Sequence, residues 1–177
     1  MNIFYIDTDP VKAAQMMVDR HVVKMILESA QLLCTAHRVL DGESYTSQSK
    51  NSRKVTRWKL NDSREDILYS ATHINHPSAI WCRQSVENYL WLVDHMFALS
   101  NEYNYRYNKN HLTIEKLGYT IQSPPMNLKE WDFTVPVSAM PEKYIIGLDP
   151  VLNYRNYYKL GKAHLHTWTK RSKPDWI

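Results

Sequence analysis

The sequence predicts an all-α fold, compact and helical, in a single domain over residues 1–177. Three observations predict it. From residue 11 to residue 41 there is no glycine or further proline, and apolar residues recur at helical spacing. An Asp-Pro pair opens a helix-like run twice, at Asp9-Pro10 and Asp149-Pro150, with Asp as the cap and Pro in the first turn. Only 4 of 177 residues are glycine, too few for a fold built on tight turns or for a Gly-rich phosphate loop.

Along the chain, "IFYI" reads as a short strand or a buried extended arm. The first helix runs from Pro10 to about residue 39, with a kink or break near Asp19, and buries Val23, Ile26, Leu27, Ala30 and Leu33; "DG" at 41–42 ends it. Residues 41–64 then turn polar, with 6 Lys or Arg against 3 Asp or Glu. That stretch reads as a loop, either solvated or a basic flap in which Trp58 sits among Arg53, Lys54, Arg57 and Lys59 and closes on a nucleic acid strand. A second long helix opens at "NHPSAIW" and reaches about Tyr107. "HLTIEKLG" adds a short helix closed by Gly118. Residues 119–148, with four prolines, wrap the core before the Asp149-Pro150 helix and the basic tail "TKRSKPDWI".

A chain of 177 residues with 44% hydrophobic residues can bury a real core. Its net charge of +4, with 12 Tyr and 6 Trp, is compatible with a polyanionic partner without demanding one. No basic start followed by an apolar stretch marks a signal peptide, and no apolar run reaches membrane-spanning length. Cys34 and Cys82 read as free buried thiols. The expected compartment is the cytoplasm.

The segment "DRHVVKMILESAQLL" carries the chemistry. Positions 21, 24, 28, 31 and 35 fall within roughly a quarter of a helix circumference. His21, Lys24, Glu28, Gln31 and Thr35 occupy that arc in otherwise apolar surroundings. So narrow a polar face belongs on a helix buried on most sides, with the row facing a cleft. Lys24 and Glu28 can form a plain i,i+4 ion pair. Alternatively, a half-dry Glu28 acts as acid or base beside a Lys24 that supplies an amine or steadies a phosphate. On the second helix His73 and His76 sit where backbone N–H groups attract anions. Arg83 is the residue there best suited to a phosphate or base, and Asn88 and His95 carry no assignment. His73-x-x-His76 and His164-x-His166 lack a second ligand pair, so no metal is expected, and no organic cofactor fingerprint occurs. "HPS" and "HLT", at 76 and 111, match half-motifs of two-histidine phosphoesterases, but they lie on helix-like sequence.

These residues resemble the pyrimidine-dimer DNA glycosylases, the phage endonuclease V-like family. Asp19, His21 and Glu28 have the spacing of that family's catalytic helix, and Lys24 and Gln31 match a bacterial branch. "NHPSAIW", "AMPEKY" and "NYRNYYKLGKA" resemble family segments in the same order along the chain, whereas 41–64 has no counterpart. The resemblance implies a compact helical fold that flips a damaged pyrimidine out of duplex DNA and cleaves its N-glycosidic bond, with or without a lyase step. It gives Glu28 the role of stabilising the sugar cation and His21 a backbone phosphate. The predicted catalytic residues are therefore Glu28 and Lys24, and the substrate contacts His21, Gln31, His76 and Arg83. One departure is large: the family attacks with the α-amine of an N-terminal Thr, whereas this chain reads Met1-Asn2. Lys24 is the substitute amine, or an activated water replaces it. Two alternatives remain: a non-catalytic phage accessory protein holding a nucleotide, nucleic acid or protein partner, and an N-glycosidase of free nucleotides.

Overall fold

The computed structural model describes residues 1–49 and 51–177. Ahead of the first helix, Ile3, Phe4, Tyr5 and Ile6 form an extended arm sunk in the core, each no more than 5% exposed. Helix α1 (Pro10–Met16) and helix α2 (Asp19–Asp41) follow. The Asp9 carboxylate accepts the N–H groups of Val11 and Lys12, as an N-cap should. Of the kink or break expected near Asp19 the structure shows the break, with Met17 and Val18 extended. Asp19 restarts the helix while its carboxylate accepts from Thr169 and Arg106.

After α2 the all-α expectation fails. Strands β1 (Glu43–Gln48) and β2 (Lys54–Lys59) pair antiparallel, with Tyr45 opposite Arg57 and Ser44 opposite Trp58, so the chain is mixed helix and sheet. "SYTS" and "KVTRWK" hold Tyr, Thr, Val and Trp, all good strand formers, but their polar neighbours made the stretch read as loop. Gly42 makes the sharp entry: a Cβ there would lie 2.5 Å from the Arg38 carbonyl oxygen. Lys50, within the predicted loop, lies outside the described residues.

Helix α3 (Arg64–Ile67) is one turn. The predicted second long helix is two: α4 (Pro77–Cys82) and α5 (Val86–Tyr107). Ser85 restarts it by accepting the Asn88 N–H, a cap that the apolar stripe concealed. Helix α6 (Leu112–Ile121) runs through Gly118 instead of ending there. The wrap from 122 to 149 is irregular apart from one 3-10 turn, and α7 (Pro150–Asn156) begins with Asp149 accepting the Val151 N–H. A π-helical turn follows at Tyr157–Gly161.

Helices α2 and α5 pack together and α1 packs on α5. The Trp91 indole N–H donates to the Thr8 carbonyl and the His95 ring bonds that of Pro10. The tail closes the α1–α2 joint from outside: the Trp168 indole N–H donates to the Met16 carbonyl, and the Asp19 N–H to that of Thr167. Among the described residues, no helix is long and apolar enough to cross a membrane.

Candidate active site

Four segments meet along the polar row of α2: the amino-terminal arm, the start of α4, the π-helical turn and the loop at 72–73. The arm is set by Asn2. Its Oδ1 accepts the Ile3 and Phe4 N–H groups, and its Nδ2 donates to the Ala139 carbonyl. This turn puts Phe4 in the left-handed region (φ 50°) and drives its ring into the core. It also aims the Asn2 backbone N–H at Glu28.

Glu28 is engaged through both of its oxygens. Its Oε2 accepts the Asn2 N–H at 3.1 Å and its Oε1 lies 2.9 Å from Lys24 Nζ. The carboxylate side chain is 12% exposed and that of Lys24 61%, so the pair runs from the protein interior out to solvent. Val23 and Leu27, expected in the core, are exposed and rim the row. Gln31 is half-buried, and its side-chain amide has no partner among the described residues. Thr35 ends the row, its hydroxyl bonded to the Gln31 carbonyl and accepting the Thr72 N–H.

His21 turns inward. Its ring stacks on Phe4 at 4.3 Å, and Nδ1 lies 2.7 Å from the Tyr158 hydroxyl, which also accepts the Val18 N–H. Burial pushes its pKa down to about 3, helped by the charges of Lys162, Lys24 and His164. The ring is therefore neutral near neutral pH. It can orient Tyr158 and Phe4 or share a hydrogen bond, but it offers no positive charge to a phosphate.

His76 caps α4, its Nδ1 accepting the Ser78 N–H at 3.1 Å. Burial lowers its pKa, the amino-terminal ammonium and His73 push the same way, and Glu28 opposes them. These charges thus share one neighbourhood with Glu28. His111 caps α6 identically through the Thr113 N–H, so both His-x-Ser/Thr segments are helix caps. Arg83 sits at the far end of α4, half-buried, with Nη1 sealed from solvent and without a hydrogen-bond partner among the described residues.

Sequence reasoning missed Asn2, Phe4, Tyr158 and Lys162. Lys162 lies over the Tyr157 ring at 4.9 Å and near Phe4, adding a cation beside His21. The signal was present in "YYKLGK", where Gly161 lets Tyr157 pack on Tyr144: a Cβ there would come within 2.6 Å of the Tyr157 ring. Asn2 left no such signal, because its role depends on where the arm is buried.

A cavity of about 460 Å³ lies elsewhere, between α1, α5 and the tail. Its buried acid, Glu102, is neutralised by Arg106 and Arg171, which marks a structural joint. Cys34 and Cys82 are buried and unpaired, and burial raises the Cys34 thiol to about 12. No cluster of three or more His, Cys, Asp or Glu suited to a metal occurs among the described residues. No family model matches the chain, and neither the curated proteins nor the solved structures give a match.

Proposed function

We propose that the protein is a DNA glycosylase-like enzyme that breaks the N-glycosidic bond of a pyrimidine nucleotide in DNA, working in the cytoplasm with Glu28 as its central carboxylate. One observation carries this reading: Glu28, nearly buried, is held between the exposed Lys24 ammonium and the Asn2 backbone N–H.

The chemistry follows from the groups present. As the bond from C1′ to the pyrimidine nitrogen breaks, the electron pair leaves on the base and positive charge builds on the sugar. A fixed carboxylate beside the sugar stabilises that charge. The sugar carbon is then attacked in one of two ways. Glu28 takes a proton from water, which adds at C1′. Alternatively the Lys24 amine, after giving a proton to Glu28, adds at C1′ and forms an imine once the sugar ring opens. Gln31 and His76 flank the carboxylate and supply contacts to substrate oxygens. Lys24, with Lys162 beyond it, lends the positive field that phosphates need.

A second reading has one observation in its favour. Both Glu28 oxygens are already bonded, as in a cleft that holds a nucleotide without reacting with it.

A duplex with a single thymine dimer, incubated with wild type and with Glu28→Gln in the presence of borohydride, tests the proposal. Base release by wild type alone supports it, and a trapped adduct mapped to Lys24 or to the arm identifies the amine. Release without trapping selects water. Tight binding with the DNA recovered unchanged supports the second reading, and equal activity of Glu28→Gln refutes the assignment of the carboxylate.

A further inference from the structure

The β1–β2 ribbon has no role in the chemistry at Glu28, yet it is built onto the same helix. Arg38, one turn beyond Thr35 and 5% exposed, donates from Nη1 to the Trp58 carbonyl and to Glu65, and from its other nitrogens to the carbonyls of Tyr69, Glu65 and Leu68. The end of β2 is thereby bolted to α2. Thr35 holds Thr72, and residues 71–74 with Val55–Trp58 enclose a cleft of about 380 Å³. The polar row thus leads from Glu28 to this second cleft. Seven helical residues separate Glu28 from Thr35, about 10 Å at 1.5 Å per residue.

The ribbon's charges are unspent. Arg53, Lys54, Arg57 and Lys59 make no side-chain ion pair or hydrogen bond among the described residues. Glu43, the ribbon's one acid, is held by the Asn61 amide. An isolated two-stranded ribbon is marginal in water, and one that keeps four free cations beside a half-exposed indole is complementary to a phosphate chain carrying stackable bases. The cleft walls suit a base: Trp58 and His73 offer flat faces, and Val55 and Ile74 apolar ones.

We infer that the ribbon and the 71–74 loop form a second DNA-binding element, which grips the strand beyond the nucleotide at Glu28, with phosphates on Arg57 and Lys59 and one unstacked base against Trp58. This rests on the reading of Glu28 as a centre acting on DNA, but its test is separate.

Binding of a labelled duplex with one thymine dimer is measured across a salt series for wild type, Arg57→Ala/Lys59→Ala, Trp58→Leu, and a control Lys109→Ala/Lys116→Ala, all checked for unchanged melting. Removing two phosphate contacts lowers the slope of log affinity against log salt by about 2. The expected affinity loss is about tenfold or more, with base release at saturating DNA unchanged. Trp58→Leu weakens binding without changing the slope. Wild-type slope and affinity in the ribbon variants, or an equal loss in the control pair, overturns the inference while leaving the chemistry at Glu28 standing. Ribbon-dependent binding without base release supports the ribbon and removes the glycosylase reading. Absence of DNA binding by wild type overturns the ribbon inference.

Discussion

The backbone N–H of Asn2 donates to Glu28 Oε2 across 3.1 Å, joining residues 26 positions apart. Asn2 does this while its own side chain bonds Ile3, Phe4 and Ala139. Asn2→Ala removes those bonds and leaves nearly buried amides unpaired, at a cost of about 1–3 kcal/mol. Chemical denaturation should show that loss. Base release should fall as well, because the side-chain bonds that aim the residue 2 backbone N–H at Glu28 are gone.

Glu28 and Lys24 should separate activity from stability. Lys24 is the exposed member of the pair and Glu28 keeps the Asn2 N–H without it, so Lys24→Ala should change stability by less than about 1 kcal/mol. Glu28→Gln should reduce base release by about 10²–10⁴-fold. Single-turnover assays beside melting curves decide this. A parallel fall in both quantities would make the pair structural.

His37 makes stability pH-dependent. Its Nδ1 accepts from Arg64 and its Nε2 lies 2.9 Å from the Tyr89 hydroxyl, so the ring is held neutral. Asp41 is 4.0 Å from Nδ1, but Arg64 is nearer and already binds that carboxylate, so this is no ion pair. Burial and the Arg64 charge bring the pKa down to about 4. The unfolded chain, near 6.5, takes up the proton first. The stabilisation is therefore complete above pH 6.5 and fades as pH falls toward 4, by up to about 3 kcal/mol. Urea titrations at pH 7.5 and 5 should show the loss, and His37→Gln should reduce it.

Arg38→Ala should be the most damaging of these changes, at about 3–5 kcal/mol, because it strips a buried guanidinium from four carbonyls and Glu65. Arg38→Lys should restore little, since one ammonium cannot span that fork of acceptors. Amide exchange should speed up first at 54–60 and 65–69, and uniform protection across those segments would contradict the bolting role.

Local chemistry was readable and distant chemistry was not. Asp9-Pro10 and Asp149-Pro150 announced their helices because a cap acts on residues two or three away. The row from His21 to Thr35 was visible because helical spacing alone aligns it. The ribbon was hidden because polar composition was weighed above the Tyr, Thr, Val and Trp within it. The stop at Arg83 was masked by an apolar stripe resuming after Ser85. The direction of His21 and the reach of Asn2 toward Glu28 depend on Phe4, Tyr158 and the buried arm. No spacing rule encodes such tertiary contacts.

The outer strap at residues 167–169 has a consequence for biosynthesis. Thr167, Trp168 and Thr169 close the joint beneath the polar row by bonding Asp19 and Met16, partners about 150 positions earlier. A nascent chain holds α2 long before that clasp leaves the ribosome. The joint should therefore close only after residue 169 has emerged, and a chain stalled or clipped at residue 166 should be helical, loosely packed and inert.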